Sequence, residues 1–268
     1  MKIFDCFIFF NENLLTEIRI NILYKHVDYF VICESYYDHR GNVKGYLFDL
    51  EKFKNFKEKI IYLKIEKFPE HLGIWERQDY QRNYLYKGLK NANKNDLIIY
   101  SDADEIINPK LIEKLSDIKN NVAICSQYCF YYKFNLLSDH YKKTWQGSRI
   151  VKFEFLKSFS WLRSIDKRNL KYSFLRFDKF KRIKLFEEGG WHFSYLMTEK
   201  EIQKKIKAWT HVELDTAENN SLEIIKNRVR SNKDLFGRDI TFSKIEFTKD
   251  HFPEYIINNE ALFKNWII

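Results

Sequence analysis

The stretch Asp96-Leu97-Ile98-Ile99-Tyr100-Ser101-Asp102-Ala103-Asp104-Glu105-Ile106 decides how this chain is read. Four apolar or aromatic residues run into three carboxylates, and Asn108-Pro109 breaks the extended chain just beyond. An apolar run this short, bounded by turn formers, predicts a strand buried on both faces, as in parallel sheets. Ligands in open α/β sheets bind at the carboxyl ends of such strands. Asp102 and Asp104 are two apart, so an extended chain points both side chains the same way. Two like charges held together call for a cation between them. A divalent ion, Mg²⁺ or Mn²⁺, carried on a phosphate-bearing substrate suits carboxylate oxygen. A solvated acidic turn capping a helix from Pro109 is the plainer alternative.

Working outward, residues 2–10 predict a first strand, and Leu14, Leu15, Ile18, Ile22 and Leu23 fall at helical spacing. Tyr29-Phe30-Val31-Ile32-Cys33 predicts a second strand, so the opening is a βαβ unit with parallel strands. No Gly-x-Gly-x-x-Gly follows the first strand, which disfavours a dinucleotide site. Ile60-Ile61-Tyr62-Leu63 supplies a third strand, and residues 75–90 a polar-faced helix leading to the carboxylate strand. Further strands are expected at 122–125 and 183–186, and helices at about 199–209 and 221–235. Aromatic and basic residues scattered between them suit a second half that builds a substrate surface.

The composition sets the class. A chain of 268 residues, 45% hydrophobic and 18% aromatic, can bury one large α/β core. Cys6, Cys33, Cys125 and Cys129 lie in apolar runs without metal-ligand spacing, so they read as reduced thiols of a cytoplasmic protein. No segment has the length of apolar residues needed to cross a bilayer, and no signal-peptide layout opens the chain. The formal net charge is +9, and between residues 163 and 184 nine Lys or Arg face only Asp166 and Asp178. That patch suits phosphate, an anionic membrane or nucleic acid, or is simply a solvated basic face.

Several short motifs recur together: residues 27–35 (VDYFVICES), Asp79-Tyr80-Gln81-Arg82, Asp102-Ala103-Asp104-Glu105-Ile106 and Gly190-Trp191-His192-Phe193-Ser194. In this order they resemble glycosyltransferase family 17. The resemblance spans roughly residues 1–210 and implies a GT-A-type fold, a mostly parallel α/β sheet flanked by helices. It divides the chain into a catalytic domain at 1–210, with a nucleotide-sugar half to about 108 and an acceptor half from 109, and a C-terminal helical extension at 211–268. It also implies a UDP-sugar donor, UDP-GlcNAc above all, a glycan or lipid-linked glycan acceptor, and inversion at the anomeric carbon.

The residues give this chemistry named candidates. Asp104 would bind the metal directly, Asp102 the metal or the ribose, and His192 would complete the metal shell or touch diphosphate oxygen. A divalent ion there would stabilise the charge left on UDP. Glu34 is placed to accept from uracil or ribose, or to cap a loop. Arg77, Asp79 and Arg82 begin a helix entering the same sheet edge, where Arg82 could fork onto phosphate or pair with Asp79. Trp191 could stack on a sugar or base, or lie in the core. For the general base, Glu213 is the first candidate, with Asp215, Glu188 and Glu105 as alternatives. A metal-dependent phosphoesterase or nuclease would need more ligands than Asp102, Asp104, Glu105 and His192, and a nucleic-acid binder would leave the paired carboxylates unexplained, so no nucleic acid is expected. The basic stretch suggests peripheral docking at an anionic membrane face.

Overall fold

The computed structural model describes all residues except 119, 120 and 143. Strands β1 (Ile3–Phe9), β2 (Tyr29–Ser35), β3 (Ile60–Ile65) and β4 (Leu97–Ser101) form the first half of the sheet, with helix α1 (Asn13–Leu23) after β1 and α2 (Ile74–Tyr84) before β4. The second half contains β5 (Glu105–Ile107), β6 (Val122–Tyr131), β7 (Leu136–Ser138), β8 (Trp145–Lys152), α3 (Phe159–Ser164), β9 (Ile183–Phe186), β10 (Gly190–Ser194) and α4 (Glu199–Ala208). Helix α5 (Leu222–Arg230), strand β11 (Phe242–Lys244) and the short helices α6 (Glu254–Asn258) and α7 (Glu260–Phe263) complete the chain.

The sheet runs β11-β7-β6-β8-β4-β1-β2-β3, with β5, β9 and β10 branching from it. From β3 to β4 every pairing is parallel, as the βαβ opening predicts. Beyond β4 the order turns antiparallel through β8, β6 and β7, while β9 and β10 lie parallel to β6. The architecture is thus the GT-A-type α/β sheet flanked by helices, purely parallel from β3 to β4 and mixed beyond. The C-terminal part is less purely helical than the sequence suggests, because β11 extends the sheet beside β7.

Alternation explains why both faces of this half are apolar. Ile3, Phe7, Phe9, Phe30, Ile32, Leu97 and Ile99 join one core with α1, whereas Phe4, Cys6, Val31, Cys33, Ile98 and Tyr100 join another with α3. The four cysteines are buried and unpaired with one another. At Gly190, φ is +133° and an added Cβ would stand 2.0 Å from the Ile106 carbonyl oxygen. Gly190 therefore lets β10 close against β5, and Gly189 likewise meets the Cys125 backbone of β6. Among the described residues no helix is long and apolar enough to cross a membrane.

One polar pair interrupts the α1 core. Asp5 lies between Ile3 and Phe7 on the same face of β1, and Arg19 comes down from α1 to meet it, both side chains fully buried. Arg19 gives its Nε and one terminal nitrogen to the Asp5 carboxylate at 2.7 and 2.6 Å. Its other terminal nitrogen donates to the carbonyls of Asp102 and Glu105 at 3.1 and 2.9 Å. The Arg19→Met variant leaves Asp5 and two carbonyls without this donor, and should lose about 3–5 kcal/mol in urea unfolding. A loss below 1 kcal/mol, which surface pairs show, would contradict this account.

Candidate active site

A cavity of about 330 Å³ opens where β1 and β4 end, between α2 and α4. Its floor is the turn after β4, in which the Glu105 amide donates to the Asp102 carbonyl at 3.0 Å. That reversal corrects the extended geometry expected for Asp102 and Asp104. A turn does not keep residues two apart on one face, so the two carboxylates part company. Asp102 accepts from Arg163 at 2.7 Å and from the Tyr100 hydroxyl at 3.1 Å. Asp104 faces Lys205 at 3.3 Å and His192 Nε2 at 3.6 Å.

Glu105 lies beneath them and ties the floor together. Its carboxylate accepts from the Asp102 amide, from Trp145 Nε1 at 2.9 Å and from both terminal nitrogens of Arg163 at 3.0 Å. Trp145 in turn stacks on His192, with ring centroids 4.4 Å apart and planes 19° apart. His192 Nδ1 rests 3.4 Å from Cys129 Sγ. Burial would raise both aspartates, but the cations win. Arg163 and Arg82 hold Asp102 below its ordinary range, and Lys205 and His192 hold Asp104 far below it. Burial would lower His192, yet Cys129 and Asp104 push it up to about 10.

The remaining expected residues separate clearly. Arg82 lines the cavity, bonded to the Tyr100 hydroxyl at 3.0 Å and paired with Asp79 at 3.2 Å. Asp79 is exposed, and Arg77 donates to the His39 carbonyl at 3.3 Å; neither lines the cavity. Glu34 is fully buried, its carboxylate engaged by Lys44, Tyr62 and the amides of Leu47 and Phe48, which is the loop-capping arrangement. Trp191 belongs to the core and donates to the His251 carbonyl at 2.6 Å. Glu213 is exposed and bound to His211 Nδ1 at 2.6 Å, outside the cavity. Asp215 is held by Arg40, Glu188 is exposed, and Glu105 is consumed by Arg163 and Trp145.

Other groups were not singled out from sequence. Trp75, His211 and Trp209 form an aromatic rim, with centroid distances of 4.8 and 4.5 Å along the row. Gln78 and Thr210 line the cavity, and their buried Oε1 and Oγ1 have no hydrogen-bond partner among the described residues. Buried acceptors of this kind are costly unless a ligand or water satisfies them. His39 also lines the cavity. Gln81 gives its amide nitrogen to the Cys33 carbonyl at 2.9 Å, so its oxygen faces His39 Nε2 at 2.8 Å. The imidazole proton therefore sits on Nε2 and Nδ1 keeps its lone pair. Burial lowers His39 to about 4, so it is neutral near pH 7.

Among the described residues no group of three or more His, Cys, Asp or Glu side chains is gathered to hold a metal ion. Asp102 has turned to Arg163, so the expected trio of Asp102, Asp104 and His192 does not converge. Asp104 and His192 remain facing each other, with an O···N gap of 3.6 Å that is too long for a hydrogen bond. One carboxylate and one imidazole fit a divalent ion that takes its other ligands from phosphate and water. Such an ion would displace the imidazolium proton.

An α/β fold with a cavity of cations and carboxylates at the strand ends has its binding site where such sheets hold their ligands. The chain belongs to glycosyltransferase family 17, whose model matches residues 1–265. No curated protein matches it significantly. Among solved structures it is similar to S. aureus TarS 1-349, at 14% identity over 86% of this chain and 72% of that one, with a TM-score of 0.36. It is also similar to the Francisella tularensis 2-C-methyl-D-erythritol 4-phosphate cytidylyltransferase, at 10% identity over 78% and 100%, TM-score 0.36. A third is the galactosyltransferase LgtC in complex with donor and acceptor sugar analogs, at 9% identity over 99% and 96%, TM-score 0.32. These likenesses are distant, and the assignment rests on the family match.

The His192–Asp104 pair makes a pH prediction. His192 is raised from 6.5 to about 10 on folding, so its contribution is complete below pH 6.5 and disappears as pH rises through 10. The difference in melting temperature between wild type and His192→Asn should therefore be widest near pH 6 and shrink steadily toward pH 10. A difference that is flat across that range in metal-free buffer would show that the pair is not ionised as described.

Proposed function

We propose that this glycosyltransferase moves GlcNAc from UDP-GlcNAc to a hydroxyl of a glycan or lipid-linked glycan, with inversion and with a divalent ion, Mn²⁺ or Mg²⁺. The observation that carries the reading is a cavity that presents Arg82, Arg163 and Lys205 together with Gln78 and Thr210, whose buried Oε1 and Oγ1 have no partner among the described residues and lie at its wall. Uridine offers an imide N–H and ribose hydroxyls to such acceptors, and the diphosphate offers oxygens to the cations. Trp75, half exposed on the rim, supplies a face for the base or sugar to stack on.

Asp104 and His192 would hold the ion. When bound, it would neutralise charge developing on the departing diphosphate. Lys205 and Arg163 carry the same task from the protein side, since a desolvated cation beside a leaving phosphate is worth more than one in water. Asp102, fixed by Arg163 and Tyr100, is left to orient the ribose or the guanidinium. An inverting transfer also needs a base for the acceptor hydroxyl. His39, neutral and with its free lone pair on Nδ1, replaces Glu213 as the candidate because it lines the cavity. Hydrolysis by a two-metal centre is not favoured, because the acidic groups are individually tied to cations.

UDP release from a panel of UDP-sugars, with and without Mn²⁺, tests the donor and the ion together. UDP-GlcNAc with Mn²⁺ should give the fastest release, and no release from any UDP-sugar under either condition would end this reading. Asp104→Ala should lower turnover by at least about 10²-fold. Gln78→Ala should instead raise the donor KM about tenfold, the cost of one lost hydrogen bond, with little change in kcat. For the base, His39→Ala should cost about 10²–10⁴-fold in kcat, whereas Glu213→Gln should stay near wild type. The opposite ranking would restore Glu213.

A further inference from the structure

The basic stretch divides in the structure. Arg163 turns inward to Asp102 and Glu105, and the chain beyond it leaves the body of the protein. All residues from 171 to 178 are exposed, and among them Phe174 is 80%, Leu175 63% and Phe177 88% exposed. Three large apolar side chains on one short turn are far more than the single surface hydrophobics that need no explanation. The segment is nonetheless shaped. Arg176 grips Asp178 through two bonds of 2.7 Å, Lys181 donates to the Ser173 carbonyl, and Phe180 packs edge-on against Trp161 at 5.5 Å.

Charge supplies the identity of the partner. From 166 to 182 there are seven Lys or Arg and only two acidic residues, Asp166 and Asp178. Apolar tips ringed by cations match a bilayer whose headgroups are anionic and whose interior accepts the phenyl rings. An acidic protein surface would meet the cations but would leave Phe174 and Phe177 without an apolar host. The root of the segment is tied to the cavity wall. The Lys167 amide donates to Gln146 Oε1 at 2.7 Å, beside Trp145, and Arg163 lies three residues before Asp166.

We propose that residues 170–180 form a membrane-docking finger, in which Phe174, Leu175 and Phe177 enter the headgroup region of an anionic bilayer while the surrounding Lys and Arg meet its phosphates. Docking stands on this surface alone. Its consequence, that the cavity is held at the lipid surface for a lipid-anchored acceptor, rests on the transferase reading above.

Sedimentation of the full chain with vesicles tests the finger. Vesicles of phosphatidylcholine with phosphatidylglycerol should bind it at least about tenfold more tightly than phosphatidylcholine alone. The double variant Phe174→Ser, Phe177→Ser should lose at least about tenfold of that binding, while its melting temperature and UDP release stay unchanged. The triple variant Lys171→Glu, Arg176→Glu, Lys179→Glu should lose as much. Because the four native cysteines are buried, Leu175→Cys can be labelled with an environment-sensitive fluorophore, whose emission should shift blue on anionic vesicles. Equal binding to both vesicle types, an unaffected Phe double variant or an unshifted label would overturn insertion. Self-association that the Phe double variant abolishes, with no vesicle binding, would make the finger a contact between copies. Loss of vesicle binding with intact UDP release, or the reverse, separates failure of the finger from failure of the donor reading.

Discussion

The arrangement depends on one guanidinium placed where no water reaches it. The turn after β4 must reverse at the edge of a buried sheet, so the carbonyls of Asp102 and Glu105 cannot rely on solvent. Arg19 supplies their donors from α1, and Asp5 supplies the charge that makes a buried arginine tolerable. Once that turn is set, the rest follows through contact. Glu105 is aimed at Arg163 and Trp145, Arg163 clamps Asp102, and Trp145 fixes the plane of His192. Asp104 is then left facing the imidazole and Lys205. The interaction lies outside the cavity, yet it holds the turn that carries Asp102, Asp104 and Glu105. A hydrophobic replacement of the Asp5–Arg19 pair could recover packing but not these two carbonyl bonds.

Much of the scaffold is legible in sequence because strands buried on both faces are short, continuous and apolar. The runs in β1, β2, β3 and β4 needed no tertiary information, and the βαβ opening fixed their parallel sense. The later half is harder. Strand β6 pairs antiparallel with β7 and β8 but parallel with the distant β9 and β10, and the small β11 has no apolar run to announce it. Arg19 was readable in principle: it is four residues from both Leu15 and Leu23, which puts a cation on the buried face of α1. An aspartate in the middle of β1 was its natural counterpart. Neither observation was joined to the other, since the pairing crosses from helix to strand.

Site residues divide along the same line. Trp191 and His192 are neighbours on β10, so they face opposite sides of the sheet, and only one can reach the cavity. His192 does, and the aromatic partner comes instead from Trp145 on β8. On α2, Trp75, Gln78, Gln81 and Arg82 recur at three- and four-residue spacing and form the face toward the cavity, which excludes Arg77; Asp79 shares that spacing but lies exposed beside Arg82. Both distinctions follow from periodicity applied residue by residue. Glu34 and Glu213 were not separable in this way. Whether a carboxylate at a strand end or in a loop meets a ligand or an amide depends on where distant loops pass, here residues 44–48 for the first and the surface turn at His211 for the second.

The charge pattern of the cavity narrows what can enter it. Each carboxylate on its floor is already matched to a cation: Asp102 to Arg163, Asp104 to Lys205 and His192. A simple anion would have to compete with these carboxylates for their partners, and a simple cation would have to displace an ammonium or a proton. A ligand that brings both signs at once meets neither obstacle in full, because Asp104, released from Lys205, can turn to its cation as Lys205 turns to its phosphates. The number of ion pairs is then conserved, and no bare charge is left in a low-dielectric site. Under the proposed transferase reading, such an exchange would favour a metal-bearing diphosphate over either component alone. It also accounts for a site whose charges pair with one another, since charges held at fixed positions need little reorganisation when the reacting group arrives.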